Sequence, residues 1–112
     1  MIYAIHAVGT EYVKIGVSIW RKRSRLSELQ CANPFELVIV AQADWPHYQE
    51  RTIHRYLKLH GLHVRGEWFR NEGHTEALIG MMRRGSLGLQ EWRSHMGSGV
   101  GHRLSKALAL CR

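Results

Sequence analysis

Two residues that could take part in chemistry, a carboxylate and an imidazole, lie one turn apart on a predicted helix. Glu50 precedes the apolar positions Ile53 and Leu57 by three and seven residues, so its carboxylate should border the buried stripe, with His54 on the same side. A carboxylate near buried surface needs a cation or metal partner. Glu50 is therefore interpreted either as half of an ion pair with an arginine or as a ligand for Mg²⁺. His54 is either a hydrogen-bonded histidine at the core edge or a catalytic group.

The densest positive charge is a run of four cations within five residues of another predicted helix. Arg21, Lys22 and Arg23 point in several directions around the helix and cannot all be buried, so they form either a solvated face or a contact surface for a polyanion. Arg25 differs because it borders the packed position Leu26, and its stem should run along the apolar face. A guanidinium held there presents a planar fork suited to a phosphate.

Positive charge also characterises the chain as a whole. Its 112 residues include 16 Lys or Arg and 9 Asp or Glu, a formal net charge of +7. Residues 1–84 contain 12 basic and 8 acidic side chains, and residues 85–112 contain 4 and 1, so both parts contribute. Such a surface attracts polyanions by releasing their counterions, which makes nucleic acid the leading partner. The 45% apolar composition supplies one core without a disulfide or metal.

Several other classes of protein lack their usual marks in this sequence. No apolar run approaches the ~18 residues that cross a bilayer, and the start MIYAIHAV lacks the basic region of a signal peptide, so we expect a cytoplasmic protein without a membrane partner. There is no P-loop, GxSxG elbow or GxGxxG motif. Cys31 and Cys111 fit reduced thiols. Structural zinc at His60 and His63 is a weak alternative because no cysteine pair accompanies them.

The elements that must position these residues are short. Residues 2–8 form a short apolar stretch, and Tyr12–Val17 alternates in polarity, a pattern that predicts a β-hairpin with one buried face. Ser18 can cap a helix that runs to about residue 30 and ends before Asn33-Pro34. The apolar run Leu37–Ala43 predicts a strand covered on both faces, at the centre of the sheet.

The second half of the chain alternates helices with one short strand. We expect a helix over residues 47–60, a strand at residues 67–69 and a helix over residues 75–84. The order β-β-α-β-α-(β)-α predicts a small α/β sandwich. Residues 85–112 contain two short apolar segments separated by glycines, which fit either further helix or a solvated tail.

A set of short motifs follows in order along residues 1–84. They are Ile2-Tyr3, Lys14-Ile15-Gly16, Arg25-Leu26, Leu29-Gln30, Asn33-Pro34, Glu50, Ile53-His54 and Gly66-Glu67-Trp68-Phe69. Together they resemble the GIY-YIG endonuclease superfamily, and in particular the small phage and bacterial branch whose second motif reads KIG and whose distal motif reads GEWF. The resemblance implies a compact α/β domain with a three-stranded antiparallel sheet flanked by helices, and one divalent ion, Mg²⁺ or Mn²⁺, per active site.

The same resemblance assigns roles to individual residues. It implies that Tyr3 helps to activate the attacking water, that Arg25 holds the scissile phosphate and that Glu50 binds the metal. Gly16 matches the glycine of the second motif, where a side chain would obstruct a close approach. Lys14 stands where many members have a tyrosine. If it faced Tyr3 across the hairpin, its ammonium would favour the phenolate and make Tyr3 a better base.

The sequence thus predicts a nuclease domain over residues 1–84 with a basic extension over residues 85–112. The predicted activity is that of a metal-dependent DNA endonuclease, with His54 and Lys14 among its catalytic residues and DNA contacts from residues 21–25. Glu67, Trp68 and Phe69 are expected to be structural, the two aromatics closing the core. The alternatives are an inactive DNA-binding module of the same fold and a small basic RNA-binding protein. One metal site cuts one strand at a time, so double-strand cleavage would need a homodimer or two visits.

Overall fold

The computed structural model describes residues 1–17 and 22–97, with the backbone alone for residues 22–25. It confirms the mixed α/β class. No helix within these ranges has both the length and the apolar character to span a bilayer. In chain order the elements are β1 (Ile2–Ala7), β2 (Tyr12–Val17), α1 (Lys22–Cys31), β3 (Leu37–Ala43), α2 (Gln49–Leu59), β4 (His63–Arg65), β5 (Trp68–Arg70), α3 (His74–Arg83) and α4 (Gly85–Gly97).

The sheet has five antiparallel strands rather than the three that were predicted. Their spatial order is β3-β1-β2-β5-β4. The long strands β1, β2 and β3 match the expected three, and β4 and β5 add a hairpin beside β2. The element order also differs from the prediction, because β4 precedes β5 and α4 follows α3. Strand β4 is three residues long and all three are exposed, so it has no buried apolar face that a sequence pattern could reveal.

The predicted β1–β2 hairpin is present, but both of its faces are covered instead of one. Gly9 has a positive φ of 85° in the turn, and the Thr10 hydroxyl donates to the Ala7 carbonyl at 2.7 Å. Val13 and Ile15 are fully buried on one face of the sheet. The opposite face carries Tyr3, Ile5 and Ala7 of β1, with Lys14 and Gly16 of β2 directly across from Ile5 and Tyr3.

The prediction that Leu37–Ala43 forms the sheet centre is wrong, because β3 lies at the edge of the sheet that the described residues form. Helices account for its apolar run. Leu37 and Ile39 pack with Leu26 and Leu29 of α1, whereas Ala41 and Ala43 belong to the core on the other face. Apolar residues on both faces report coverage by helices and carry no information about neighbouring strands.

A β-bulge interrupts the pairing of β3 with β1. Ala4 pairs with Ala41 but Ile5 pairs with Ile39, which leaves Val40 as the extra residue. The Val40 carbonyl accepts a hydrogen bond from Nε of Arg83 at 2.9 Å. An α3 side chain therefore satisfies a backbone acceptor of this edge strand.

Helices cover both faces of the sheet and create three layers. Helix α1 packs on the face of Tyr3 and Ile5. Helices α2, α3 and α4 pack on the face of Val13 and Ile15, where their buried residues include Ile53, Leu57, Leu78, Met82 and Trp92.

Helix α4 packs onto this core through Trp92, whose side chain is fully buried. Its indole Nε1 donates to Oε1 of Gln49 in α2 at 2.9 Å, and its ring contacts that of Tyr56 edge to face. The Trp45 indole donates to the Gly85 carbonyl at 3.0 Å, at the start of α4. Residues 85–97 are thus helical and joined to α2, and the second apolar segment predicted within residues 98–112 lies outside the described residues.

Candidate active site at the edge of the sheet

The pairing of β2 with β5 stops at Lys14 and Trp68. The last residues of β2 therefore have other hydrogen-bond partners. The Ile15 N–H donates to the Glu67 carbonyl at 3.0 Å, and the Ile15 carbonyl accepts a hydrogen bond from Nε2 of His54 at 2.8 Å. The Val17 N–H donates to the Glu50 carboxylate. Glu50 and His54 lie in the first two turns of α2. Side chains of α2 therefore satisfy backbone groups of β2 that β5 does not reach.

These contacts bring three potential metal ligands together. One ligand atom from each of Glu50, His54 and Glu67 lies within 4.8 Å of the other two. A carbonyl can only accept, so Nε2 of His54 carries a proton, and Nδ1 is the ring nitrogen left to bind a metal. A backbone carbonyl that fixes the tautomer of a ligating histidine is a common feature of metal sites. The two carboxylates suit Mg²⁺ or Mn²⁺, whereas an imidazole is more typical of transition metals, so the side chains present fit Mn²⁺ better than Mg²⁺.

The electrostatics of Glu50 agree with this donor set. Burial raises the pKa of Glu50, and the nearby charge of Glu67 raises this pKa further. His54, the Val17 N–H and Lys14 act in the opposite direction without cancelling the rise in pKa. A divalent cation between the two carboxylates would relieve their repulsion and favour the ionised form of Glu50.

Gly16 forms the floor of the site. A Cβ atom built on Gly16 would lie 2.8 Å from Oε2 of Glu67, 2.8 Å from the hydroxyl of Tyr3 and 3.0 Å from its Cζ. The phenol of Tyr3 and the carboxylate of Glu67 thus converge above the one position of β2 that has no side chain. The sequence places Tyr3, Gly16 and Glu67 far apart, and the sheet brings them together.

Lys14 is also part of this cluster, but not in the predicted arrangement. It is directly opposite Ile5, whereas Tyr3 is opposite Gly16, so Lys14 and Tyr3 are diagonal neighbours and not a direct pair. Nζ of Lys14 contacts Oε2 of Glu67 at 3.2 Å, and only 10% of the Lys14 side chain is exposed. The Lys14 ammonium therefore contacts the same Glu67 oxygen that lies above Gly16.

The aromatics of the distal motif lie on opposite faces of the sheet. Phe69 is fully buried in the main core, and its ring lies 5.1 Å from that of His54, which it helps to position. Trp68 is partly buried on the other face, where it packs near Tyr3 and Ile5. Glu67, which was expected to be structural, instead lies within ligand distance of Glu50 and His54. The available signal was a carboxylate directly before two packed aromatics, where an unpaired charge would be costly.

The predicted phosphate contacts fall where the structure gives no side chains. Arg21 lies outside the described residues, and Lys22, Arg23 and Arg25 are described by their backbone in the first turn of α1. Leu26, directly after Arg25, packs on the sheet face that carries Tyr3. The weak zinc alternative gains no support within the described part of the chain, where the cluster of Glu50, His54 and Glu67 is the one group with metal-ligand spacing.

Comparison with known proteins gives no relative from which a function could be transferred. No protein-family model matches the chain, and neither does any curated protein or solved structure. The geometry and charge of the site are therefore the basis for inferring a function.

Proposed function

We propose that the chain is a metal-dependent DNA endonuclease of the GIY-YIG type, which hydrolyses phosphodiester bonds. The observation that carries this proposal is the convergence above Gly16 of the Tyr3 hydroxyl and the Glu67 carboxylate, beside Glu50 and His54. Hydrolysis of a phosphodiester requires an oriented water, neutralisation of charge on the phosphate and stabilisation of the leaving oxygen. This cluster contains groups suited to each requirement.

Glu50, His54 and Glu67 would hold the divalent ion, which supplies Lewis-acid stabilisation of developing negative charge when bound. The remaining groups belong to the chain itself. The Tyr3 hydroxyl, which lies above Gly16, would orient the attacking water and exchange its proton. The Lys14 ammonium adds positive charge next to the carboxylates, where a phosphate oxygen would enter.

Charge supports a nucleic-acid partner, and DNA is the one proposed here. The chain carries a net charge of +7, and Lys22, Arg23 and Arg25 of its densest basic run lie in the first turn of α1, the helix that covers the face of Tyr3. Arg21, Lys22 and Arg23 are proposed to bind the DNA backbone, and Arg25 to bind the scissile phosphate.

A nicking assay on supercoiled plasmid tests this function. We expect the chain to convert supercoiled into open-circular DNA when Mg²⁺ or Mn²⁺ is present and to stop when a chelator is added. Glu50→Ala should abolish nicking while DNA affinity is kept. The matched control is Glu76→Ala, which removes an exposed carboxylate of α3 outside the site and should leave nicking unchanged.

One observation favours an inactive DNA-binding module of the same fold as the second candidate. Oε2 of Glu67 is already engaged by Lys14 at 3.2 Å, so part of the donor set is neutralised without a metal ion. Such a module would bind DNA and leave plasmid topology identical with and without the ion. Nicking that requires both the ion and Glu50 would reject this candidate.

A further inference from the structure

An apolar groove lies at the other end of the sheet face that carries Tyr3 and Lys14. It has a volume of about 280 Å³, and its walls include Tyr12, Phe35, Val64 and Trp68. Tyr12, Phe35 and Val64 are 38%, 47% and 42% exposed. Tyr12 belongs to β2, Phe35 to the loop that precedes β3, and Val64 to β4. Large apolar side chains from three separate elements are thus gathered at one solvent-facing position, where single exposed apolar residues would need no explanation.

The loop that presents Phe35 is held by specific hydrogen bonds. The Phe35 N–H donates to Oδ1 of Asn33 at 2.9 Å, and Nε2 of Gln30 donates to the Phe35 carbonyl at 2.8 Å. Oε1 of Gln30 accepts from the Leu37 N–H at 2.7 Å. The groove is therefore formed in advance, and a ligand would lose little free energy in ordering this wall.

Charge narrows the class of ligand. The lining residues that the structure describes include Arg65 but no carboxylate, and Arg70 lies directly opposite Tyr12 in the β2–β5 pair. Aromatic faces next to cations on a strongly basic chain suit a nucleobase, which offers a π-face for stacking and carries a phosphate for the cations. A purely apolar partner would make no use of Arg65.

The groove lies on the same sheet face as Tyr3 and Lys14 of the candidate active site. Trp68, in the wall of the groove, is the direct strand partner of Lys14 in the site. Tyr12 precedes Gly16 by four residues of extended strand, about 13 Å. A nucleic-acid strand crossing this face can therefore contact the groove and the site together.

We propose that this groove binds an unstacked nucleobase of a single-stranded or locally opened DNA segment, beside the phosphate that the site receives. The choice of DNA rests on the proposed function, whereas the stacking rests on the groove itself. Tyr12 and Phe35 are the stacking residues, and Arg65 contacts the adjoining phosphate.

Binding is measured by fluorescence anisotropy with a labelled single-stranded thymidylate oligonucleotide of about 12 nucleotides, a length within the usual site sizes. A chelator keeps the measurement independent of cleavage. Tyr12→Ala and Phe35→Ala should each weaken binding at least about fivefold, the lower end for loss of one stacked base. Tyr48→Ala removes an aromatic that is 65% exposed outside the groove, and it should stay within about twofold of wild type.

Two further measurements separate stacking from packing. Phe35→Leu keeps an apolar side chain and the fold, which circular dichroism checks, but should bind as weakly as Phe35→Ala. An oligonucleotide with 2-aminopurine should lose fluorescence on binding the wild type and keep it on binding Phe35→Leu. Unchanged affinity in both Tyr12→Ala and Phe35→Ala would overturn the proposal.

Other occupants of the groove would give different results. A groove that joins two copies of the chain would show a dimer in sedimentation that Phe35→Ala dissociates, with oligonucleotide affinity unchanged. Tighter binding of the matching uridylate oligonucleotide would point to RNA and reject the DNA assignment. Weak binding by the Phe35 variants together with absent plasmid nicking would support the groove and reject the endonuclease, so the two proposals fail separately.

Discussion

Gly16 lies directly opposite Tyr3 in the β1–β2 ladder, and the Tyr3 hydroxyl occupies the space that a side chain at position 16 would need. The carboxylate of Glu67 enters the same space. The glycine is therefore required by the close approach of two functional groups.

Gly16→Ala should disturb the site more than the fold. The new methyl group would displace the ends of Tyr3 and Glu67, and overpacking of this kind costs about 1–3 kcal/mol of the free energy of unfolding. Misplaced reacting groups can lower a rate by about 10²-fold, which the nicking assay would detect. The control is Gly80→Ala in α3, where the nearest atom lies at 3.5 Å and helix propensity predicts a gain of about 0.5–1 kcal/mol. Full activity in Gly16→Ala would contradict the role given to Gly16.

The buried hydrogen bond between Trp92 and Gln49 predicts a stability contribution from α4. Trp92→Phe leaves the side-chain Oε1 of Gln49 without its donor. This loss should lower the free energy of unfolding by about 1–3 kcal/mol, as measured by urea denaturation. Combining this change with Gln49→Leu should recover part of the loss, because neither partner then stays unsatisfied. Leu87→Ala, at a 69% exposed position of α4, should change stability by less than about 0.5 kcal/mol. Equal effects of Trp92→Phe and Leu87→Ala would show that α4 does not depend on this contact.

Metal binding should stabilise the folded chain. When free Mn²⁺ is about ten times its dissociation constant, the free energy of unfolding should rise by about 1.4 kcal/mol and Tm should increase, and a chelator should reverse both changes. Glu67→Gln removes one carboxylate ligand and should reduce this increase in Tm, although it also leaves the buried Lys14 without its partner. Glu76→Gln should respond to Mn²⁺ as the wild type does. A Tm that is insensitive to Mn²⁺ and Mg²⁺ would exclude a metal site of useful affinity.

Histidines around Tyr56 predict a loss of stability in mild acid. The rings of His60 and His74 stack with centroids 3.6 Å apart, and the Tyr56 hydroxyl contacts His74 at 2.7 Å and His95 at 3.2 Å. Burial lowers the pKa of His60 below its usual value of 6.5, and the charges of His74 and His95 lower this pKa further. The unfolded chain therefore binds more protons than the folded chain just below pH 6.5. Stability from this group is complete above that pH and is lost as the pH falls through the lowered pKa.

Thermal denaturation between about pH 7 and pH 5 checks this sign, within the range where histidines titrate. We expect a shallow decrease in Tm with acidification, since part of His60 is exposed. His60→Gln should make the decrease shallower. His47→Gln, whose ring contacts the amino terminus outside this cluster, should leave it unchanged. A stability that rises on acidification in the wild type and not in His60→Gln would contradict the prediction.

Periodicity predicted the elements that pack against a core. The bounds of β2 and β3 agree with their predicted ranges, and α2 buries Ile53, Tyr56 and Leu57 as its pattern indicates. Strand β4 gave no such pattern because all its residues are exposed. The edge position of β3 could not be predicted either, because apolar residues indicate burial but do not indicate which strand lies alongside.

Residues of the candidate site could be predicted where they belong to local motifs. They could not be predicted where the site depends on contacts between residues far apart in the sequence. The resemblance selected Tyr3, Gly16 and Glu50, which the fold places around one cluster. Glu67 joins Lys14 across 53 positions of sequence, and no local pattern specifies such a contact. Helix α4 was equally hard to place, because a single aromatic within a glycine-rich stretch does not reveal that its indole enters the core.

The bulge at Val40 has a consequence for how copies of the chain behave at high concentration. An extended margin of regular backbone is a template on which a second molecule can continue the hydrogen-bonding pattern. Here the irregular residue twists that margin and Arg83 occupies one of its acceptors, with a charged group in front of it. Fibril-like growth through this border is therefore disfavoured, even though the strand itself is among the most apolar stretches of the molecule.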